Sequence, residues 1–281
     1  MKVVVLGAGG LLGRHVVEEL RGHDVLALTR RDCDVGDLAA VRAAVSGREL
    51  VINCAAFTNV DGAESDADGA YRANTLGAEH AARAAREHGA ALVHVSTDFV
   101  FDGTRTEGYD ELDAPNPISV YGRSKWAGER LIDAAGGRVF IARVQALYGA
   151  SGANFASRLR ELVAAKKPLK LDRERRVQPT WARAAARQLV ALAETDHYGT
   201  YHVACTGSCT WVEFAAHLAT RLGVPPAWEA VPTSELRAPA ARPASSIFVP
   251  RMLTLRNIHR MPTWQSALDG YLDEAAQKEN R

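Results

Sequence analysis

Short apolar runs alternate with segments of helical spacing through the first half of the chain. The apolar runs predict strands at Lys2–Leu6, Val25–Thr29, Leu50–Cys54, Ala91–Ser96 and Arg138–Val144. Apolar residues three and four apart predict helices at Leu11–Leu20, Leu38–Val45, Ala67–His88 and Val120–Ala134. Strands separated by helices of this length usually form a parallel sheet with right-handed crossovers. The pattern therefore predicts an α/β fold, a doubly wound parallel sheet of the Rossmann type.

The rhythm changes after about residue 145. Helices are predicted at Phe155–Ala165, Ala182–Glu194, Trp211–Leu222 and Trp264–Glu279, with a short strand at Thr200–Val203. We interpret residues 1–145 as a dinucleotide-binding domain and residues 146–281 mainly as a smaller C-terminal substrate-binding lobe. Residues 181–205 are expected to return to the first domain.

Composition and charge narrow the classes of function. The 281 residues include 34 basic and 33 acidic side chains, a net charge of +1. Such a balance creates no field that would attract nucleic acid or an anionic membrane. No run of 18 apolar residues occurs, so we expect no membrane span and a cytoplasmic location. The spacing of the four cysteines favours free thiols over a zinc cluster, and no metal site is expected.

A glycine turn follows the first predicted strand and opens the first predicted helix. Gly7, Gly10 and Gly13 form this turn, which also contains Leu11 and Leu12. Glycines let the backbone approach a pyrophosphate closely, and the following helix N-terminus offers N–H groups to the phosphates. In its strand–turn–helix context the motif predicts dinucleotide binding.

The end of the second predicted strand bears on which dinucleotide is bound. An acidic residue there would hold the ribose 2′-hydroxyl of NAD, whereas an arginine would accommodate a 2′-phosphate. Here the strand ends in Arg30 and Arg31, so the sequence favours NADPH, with NADH as the alternative. Asp34 and Val35 lie in the following loop, where they could meet the adenine.

A tyrosine and a lysine four residues apart suggest proton-transfer chemistry. Tyr121 and Lys125 share one face of a predicted helix. A nearby ammonium is expected to lower the pKa of a phenol and so help proton exchange near neutral pH. Thr97 ends a strand at the carboxyl edge of the sheet, where its hydroxyl could bond a substrate carbonyl beside the phenol.

Several longer motifs accompany these residues. They are GAGGLLG (7–13), NCAAFTNVDGAE (53–64), NTLGAEHAA (74–82), STDFVFDG (96–103), YGRSK (121–125) and RPASS (242–246). By these motifs the chain resembles an extended short-chain dehydrogenase/reductase, and within that group the dTDP-4-dehydrorhamnose reductase family. The matching residues extend nearly from end to end.

The resemblance implies an activity and a set of site residues. It implies NADPH-dependent reduction of the 4-keto group of a dTDP-4-dehydro-6-deoxyhexose. In this reaction Tyr121 would be the general acid, Lys125 would tune it and bind the ribose, and Thr97 would orient the ketone. The expected cofactor contacts are Gly7, Gly10, Leu11, Leu12, Gly13, Arg30, Arg31, Asp34, Val35, Cys54, Ala55, Ala56, Thr58, Ser96, Tyr121 and Lys125. The implied substrate contacts are Val60, Thr97, Asp98, Gln145, Ala146, Asn154 and Arg242.

Some positions depart from the family pattern or leave two interpretations open. The family usually has R-T-S-W-x-Y-G where residues 143–149 read RVQALYG, so Gln145 replaces a serine and Ala146 a tryptophan. These changes favour a sugar other than dTDP-4-dehydro-L-rhamnose as the best substrate. Arg143 and Asn74 are each either structural or ligand-binding. The basic run Lys166–Arg176 is either a solvated loop or a guard for a diphosphate.

Two other functions stay open at this point. A nucleotide-sugar epimerase or dehydratase has a related sequence, although dehydratases carry a second acid where Phe99 follows Asp98 here. A non-catalytic regulatory subunit of the same fold is the other. A homodimer is left open. Some family members bind magnesium between subunits through acidic residues, but residues 14–16 read RHV, so the metal is not carried over.

Overall fold

A computed structural model of the protein describes residues 1–150, 154–236 and 238–279. The strands are β1 (Lys2–Leu6), β2 (Asp24–Leu28), β3 (Leu50–Asn53), β4 (Ala91–Thr97), β5 (Val139–Val144), β6 (Leu147–Tyr148), β7 (Leu169–Asp172), β8 (Thr180–Trp181), β9 (Gly199–Val203) and β10 (Trp228–Val231). Within these residues, six parallel strands form the central sheet in the order β2-β1-β3-β4-β5-β9. The predicted doubly wound α/β fold is confirmed.

Helices cover both faces of this sheet and build the C-terminal lobe. They are α1 (Leu11–Glu19), α2 (Leu38–Val45), α3 (Val60–Ser65), α4 (Ala67–Tyr71), α5 (Gly77–Glu87), α6 (Val120–Ala135), α7 (Phe155–Ala164), α8 (Ala182–Ala193), α9 (Trp211–Leu222), α10 (Arg251–Leu255) and α11 (Trp264–Glu279). The Asp37 carboxylate caps α2 by accepting from Ala39 N at 2.9 Å. Among the described residues, no helix is both long and apolar enough to cross a bilayer.

The strands are apolar on both faces because helices cover both. In β1, Val3 and Val5 pack toward the layer that contains α1 and α8, whereas Val4 and Leu6 pack toward α2 and α5. Such continuous apolar strands are typical of a parallel sheet buried between two helical layers. The first core cluster continues into the lobe through Phe214 and the side chains around it, so the lobe and the sheet share one apolar core.

One predicted helix differs from the structure. The segment predicted as a single helix over Ala67–His88 is α4 and α5 joined by a π-helical turn at Arg72–Leu76. The side chains of this turn bond outside their own helix. Asn74 bonds the Phe57 backbone and the Ser124 hydroxyl, and the Thr75 hydroxyl donates to the Ser124 carbonyl. Isolated π turns of this kind are frequent at functional sites.

The strand order fixes where a ligand would lie. From β1 the chain first adds β2 on one side and then β3 on the other, so the order reverses between β1 and β3. In open α/β sheets, ligands bind in the crevice outside the carboxyl ends of the strands at such a reversal. The glycine turn after β1 and the loop 54–58 after β3 form the walls of that crevice.

Candidate active site

A cavity of about 1030 Å³ opens at the carboxyl edge of the sheet. All sixteen residues expected to contact the cofactor line it, from the glycine turn to Lys125. The expected substrate residues that also line it are Val60, Thr97, Asp98, Ala146 and Asn154. Gln145 and Arg242 are not part of the lining. The fold therefore brings the dinucleotide turn and the Thr97, Tyr121 and Lys125 side chains to one cavity.

Two glycines of the turn leave no space for a side chain. Gly7 has φ +76, and a Cβ atom there would lie 2.6 Å from the backbone nitrogen of Ala55. A Cβ atom at Gly13 would lie 2.3 Å from the carbonyl oxygen of Gly7. Both positions require glycine, because Gly7 packs against the loop after β3 and Gly13 packs against the backbone of the turn itself. The turn thus leads into the N-terminus of α1 with its backbone exposed to the cavity, as diphosphate binding needs.

Two arginine side chains lie in the cavity lining just after the end of β2. They are Arg30 and Arg31, and both are exposed. Asp34 lies beside them, and Arg72 donates to the Asp34 carboxylate at 2.7 Å. The Gly36 N–H and the Arg72 guanidinium together hold the pKa of Asp34 below its usual range. Arg72, which sequence reasoning missed, thereby offsets a carboxylate that would repel a bound phosphate.

The predicted proton-transfer residues lie on two neighbouring elements. Thr97 is the last residue of β4, and Tyr121 and Lys125 lie in the first two turns of α6. The Ser119 hydroxyl caps this helix by accepting from Gly122 N at 3.1 Å. The Tyr121 ring packs edge-on against Phe99, with ring centroids 5.5 Å apart. These contacts hold the phenol beside the end of β4.

Burial controls the proton affinities of the pair. It raises the pKa of Tyr121 to about 12, and the Thr97 hydroxyl moderates that rise. It lowers the pKa of Lys125 to about 8. Lys125 Nζ donates to the Val95 carbonyl at 2.6 Å and lies 3.2 Å from His94 Nε2. Burial is the largest influence on the phenol, so the pKa of Tyr121 lies above its usual value rather than below it as expected from the sequence.

The two residues left open by the sequence have structural contacts here. The Asn74 side chain accepts from Phe57 N at 2.8 Å and donates to Ser124 Oγ at 3.0 Å, so it ties the loop after β3 to α6. Arg143 forms a buried ion pair with Glu129 at 2.7 Å. Neither side chain is part of the cavity lining, and both stabilise the elements that form it.

Gln145 and Arg242 lie outside the cavity lining, and their side chains are bonded to other protein groups. The Gln145 amide is buried and donates to Asp98 Oδ2 at 3.0 Å and to the Ser246 carbonyl at 2.7 Å. Arg242 forms a two-pronged ion pair with Asp61, at 3.0 and 2.8 Å. These partners are distant in sequence, so no local pattern indicated them.

Comparison with known proteins identifies the family. Residues 1–277 match the family model described as RmlD substrate binding domain. The chain belongs to this family. A dTDP-4-dehydrorhamnose reductase from Streptomyces griseus is 38% identical over 276 residues, which are 94% of this chain and 91% of that protein. The family resemblance seen in the sequence is thus confirmed.

The descriptions of two similar proteins mention a cofactor and a second substrate. The crystal structure of dTDP-4-dehydrorhamnose reductase from Bacillus anthracis in complex with NADP superposes with a TM-score of 0.94. It is 38% identical and covers 98% of this chain and 100% of its own. A dTDP-4-keto-6-deoxy-D-glucose reductase from Streptomyces niveus is 36% identical over 250 residues, 87% of each chain. Family members are therefore named for more than one 4-keto sugar.

Proposed function

We propose that this protein is an NADPH-dependent reductase of the 4-keto group of a dTDP-4-dehydro-6-deoxyhexose. One observation carries the proposal: the glycine turn and the side chains of Thr97, Tyr121 and Lys125 line one cavity at the strand-order reversal. The NADP in the Bacillus anthracis structure, at 38% identity, supports the choice of cofactor. The names of the Streptomyces relatives support the class of sugar.

The proposed cofactor site uses backbone groups at one end and arginines at the other. The glycine turn and the N-terminus of α1 would hold the diphosphate, and Arg30 and Arg31 would hold the 2′-phosphate. Bound in this way, NADPH supplies the hydride that reduces C4 of the sugar. The Asn74 amide holds the loop after β3, one wall of this site, against α6.

Tyr121 is the proposed proton donor. With a pKa of about 12, its phenol is protonated at neutral pH and can donate from Oη to the ketone oxygen. An alkoxide is a stronger base than a phenolate, so transfer toward the sugar is favourable as the C4–O group gains charge. Lys125, with a pKa near 8, is mostly an ammonium at pH 7 and stabilises the phenolate that remains. The Thr97 hydroxyl orients the ketone beside the phenol.

The cofactor assignment predicts a selective loss of affinity. The double change Arg30→Ala and Arg31→Ala should weaken NADPH by at least about tenfold and leave NADH almost unchanged, because NADH lacks the 2′-phosphate that a guanidinium would pair with. Fluorescence titration of each cofactor measures both dissociation constants. The control is Arg42→Ala with Arg83→Ala, which removes two charges on helices away from the cavity. Equal weakening of both cofactors would refute the assignment of these arginines.

A panel of dTDP-4-keto-6-deoxyhexoses tests the function itself. The protein with NADPH should reduce at least one member, seen as loss of nicotinamide absorbance, with NMR assigning the product at C4. Conversion of a sugar without net NADPH consumption would instead support an epimerase or dehydratase. Absence of turnover with every sugar, together with tight binding to a partner enzyme, would support a regulatory subunit.

The same panel tests which sugar fits best. Ala146 lines the cavity with only a methyl group, which leaves room beside the sugar where the family places an indole. We expect a sugar that differs at C2 or C3 to give a higher kcat/KM than dTDP-4-dehydro-L-rhamnose. Apolar pocket differences of this size are worth about 1–3 kcal/mol, or roughly 10- to 200-fold in rate. The highest kcat/KM for the rhamnose precursor would show that the substitutions at 145 and 146 leave specificity unchanged.

A further inference from the structure

The junction between the sheet and the lobe carries a buried amide with contacts on both sides. β5 ends at Val144 and β6 begins at Leu147, so Gln145 and Ala146 are the two residues that connect them. Gln145 is 1% exposed. Its Nε2 faces Asp98 and Ser246, and its Oε1 accepts from the backbone N–H of Gln178. One side chain thus joins the end of β4 to two segments of the lobe.

The contact with Asp98 leads directly to the active site. Asp98 Oδ2 accepts from the Gln145 amide at 3.0 Å and from the Ser246 hydroxyl at 2.6 Å. Asp98 Oδ1 accepts from the Thr97 hydroxyl at 3.1 Å. The Thr97 side chain is therefore bonded to a carboxylate that Gln145 and Ser246 hold in place.

The backbone at this junction is strained. Ala146 has φ +43, in the left-handed region that residues with a Cβ atom seldom occupy. Its carbonyl accepts from Thr180 N at 3.2 Å. Such a conformation persists only where the surroundings determine it, and the bonds of Gln145 on one side and Thr180 on the other do so. The strained residue lines the cavity, so the same contacts fix the wall beside the sugar.

We propose that Gln145 is a positioning residue for the reductase reaction. It acts through Asp98 and holds Thr97 and the lobe in fixed positions relative to the Tyr121 phenol. This inference rests on the proposed function. It assigns Gln145 a role other than the direct substrate contact expected from the sequence. Misplacement of reacting groups by about 1 Å can cost about 100-fold in rate, so loss of this contact should appear mainly in kcat.

Gln145→Met tests the proposal, because methionine has a similar length and no amide. We expect kcat to fall by about 10- to 100-fold, with the dissociation constant for NADPH unchanged within about twofold. The matched control is Gln188→Met, which is also buried but whose side chain bonds the backbone of Ile258 and Arg260, away from Asp98. This control should lower the melting temperature as Gln145→Met does, yet leave kcat nearly unchanged. Equal losses of kcat in both variants would reduce Gln145 to a structural role and overturn the proposal.

A double substitution tests the route through Asp98. In an Asp98→Asn background, Gln145→Met should cause little additional loss of kcat, because the carboxylate that it holds is gone. Losses that multiply would show that Gln145 acts by another route. If Gln145→Met does not fold, Ser246→Ala removes the second donor to the same oxygen and should also lower kcat; an unchanged kcat there would overturn the proposal.

The wild-type protein separates this inference from the proposed function. Absence of wild-type turnover with every dTDP-4-keto sugar would refute the function. If the wild type reduces a sugar and the Gln145 and Ser246 variants have the same kcat as the wild type, only the positioning role is refuted.

Discussion

Replacing Tyr121 by Phe is expected to lower kcat by about 10²- to 10⁴-fold, the range that general acid–base catalysis contributes. The phenylalanine ring keeps the edge-on packing against Phe99 but has no proton to give to the ketone oxygen. Binding of NADPH should change little, since the change removes one hydroxyl from the site. Single-turnover measurement of NADPH oxidation with saturating sugar checks the result.

Tyr148→Phe provides the matched control for this variant. Tyr148 is buried in the core, and its hydroxyl finds no hydrogen-bond partner among the described residues. Tyr148 is also not part of the cavity lining. Loss of the same group there should leave kcat unchanged. Near-normal turnover of Tyr121→Phe would remove this phenol from the proposed mechanism.

Glu129→Gln is expected to reduce the free energy of unfolding by about 3–5 kcal/mol, because it leaves a buried charge without its partner. The side chains of Arg143 and Glu129 are 4% and 1% exposed and meet at 2.7 Å. Arg143 also lies over the Phe101 ring, 5.2 Å from its centroid. Because the guanidinium is buried, little water is available to replace the carboxylate. Urea unfolding measures the change.

An exposed pair supplies the comparison for this prediction. Arg42 and Glu87 meet at 2.6 Å, but both side chains are more than a third exposed. Water and salt screen such a pair, so Glu87→Gln should have little effect on stability. If Glu129→Gln reduces the free energy of unfolding as little as Glu87→Gln does, burial does not make the Arg143–Glu129 pair contribute more to stability than an exposed pair.

Local patterns were sufficient for most elements of the sheet domain, α3 excepted, and for the longer helices of the lobe. The strand bounds of β1 and the helix bounds of α2, α9 and α11 match the prediction, and other predicted elements differ by one or two residues, apart from the π turn within Ala67–His88. These segments carry their periodicity and caps within a few residues, as Asp37 does for α2. The glycine turn was predictable for the same reason, because each glycine meets backbone from its own turn or from the loop after β3.

The missed features depend on partners far along the chain. The basic run Lys166–Arg176 contains β7, which pairs in parallel with β10 some sixty residues later. Leu171 of β7 is buried in the apolar core, which the charged residues around it in the sequence did not indicate. Gln145 was expected to contact substrate, yet its partners come from residues 98, 178 and 246. Side-chain pairings of this kind are decided by tertiary packing, so spacing alone cannot indicate them.

The position of β9 has a consequence for how the protein is made. β9 pairs with β5 along Phe140–Val144, although more than fifty residues, α8 among them, separate the two strands. A ribosome adds about 5–20 residues per second, so the edge of β5 waits several seconds for its neighbour. An unpaired apolar edge is a template for association with other chains. A fragment that stops before β9 should therefore aggregate during synthesis, and chaperone demand should be greatest in the interval before Val203 leaves the ribosome.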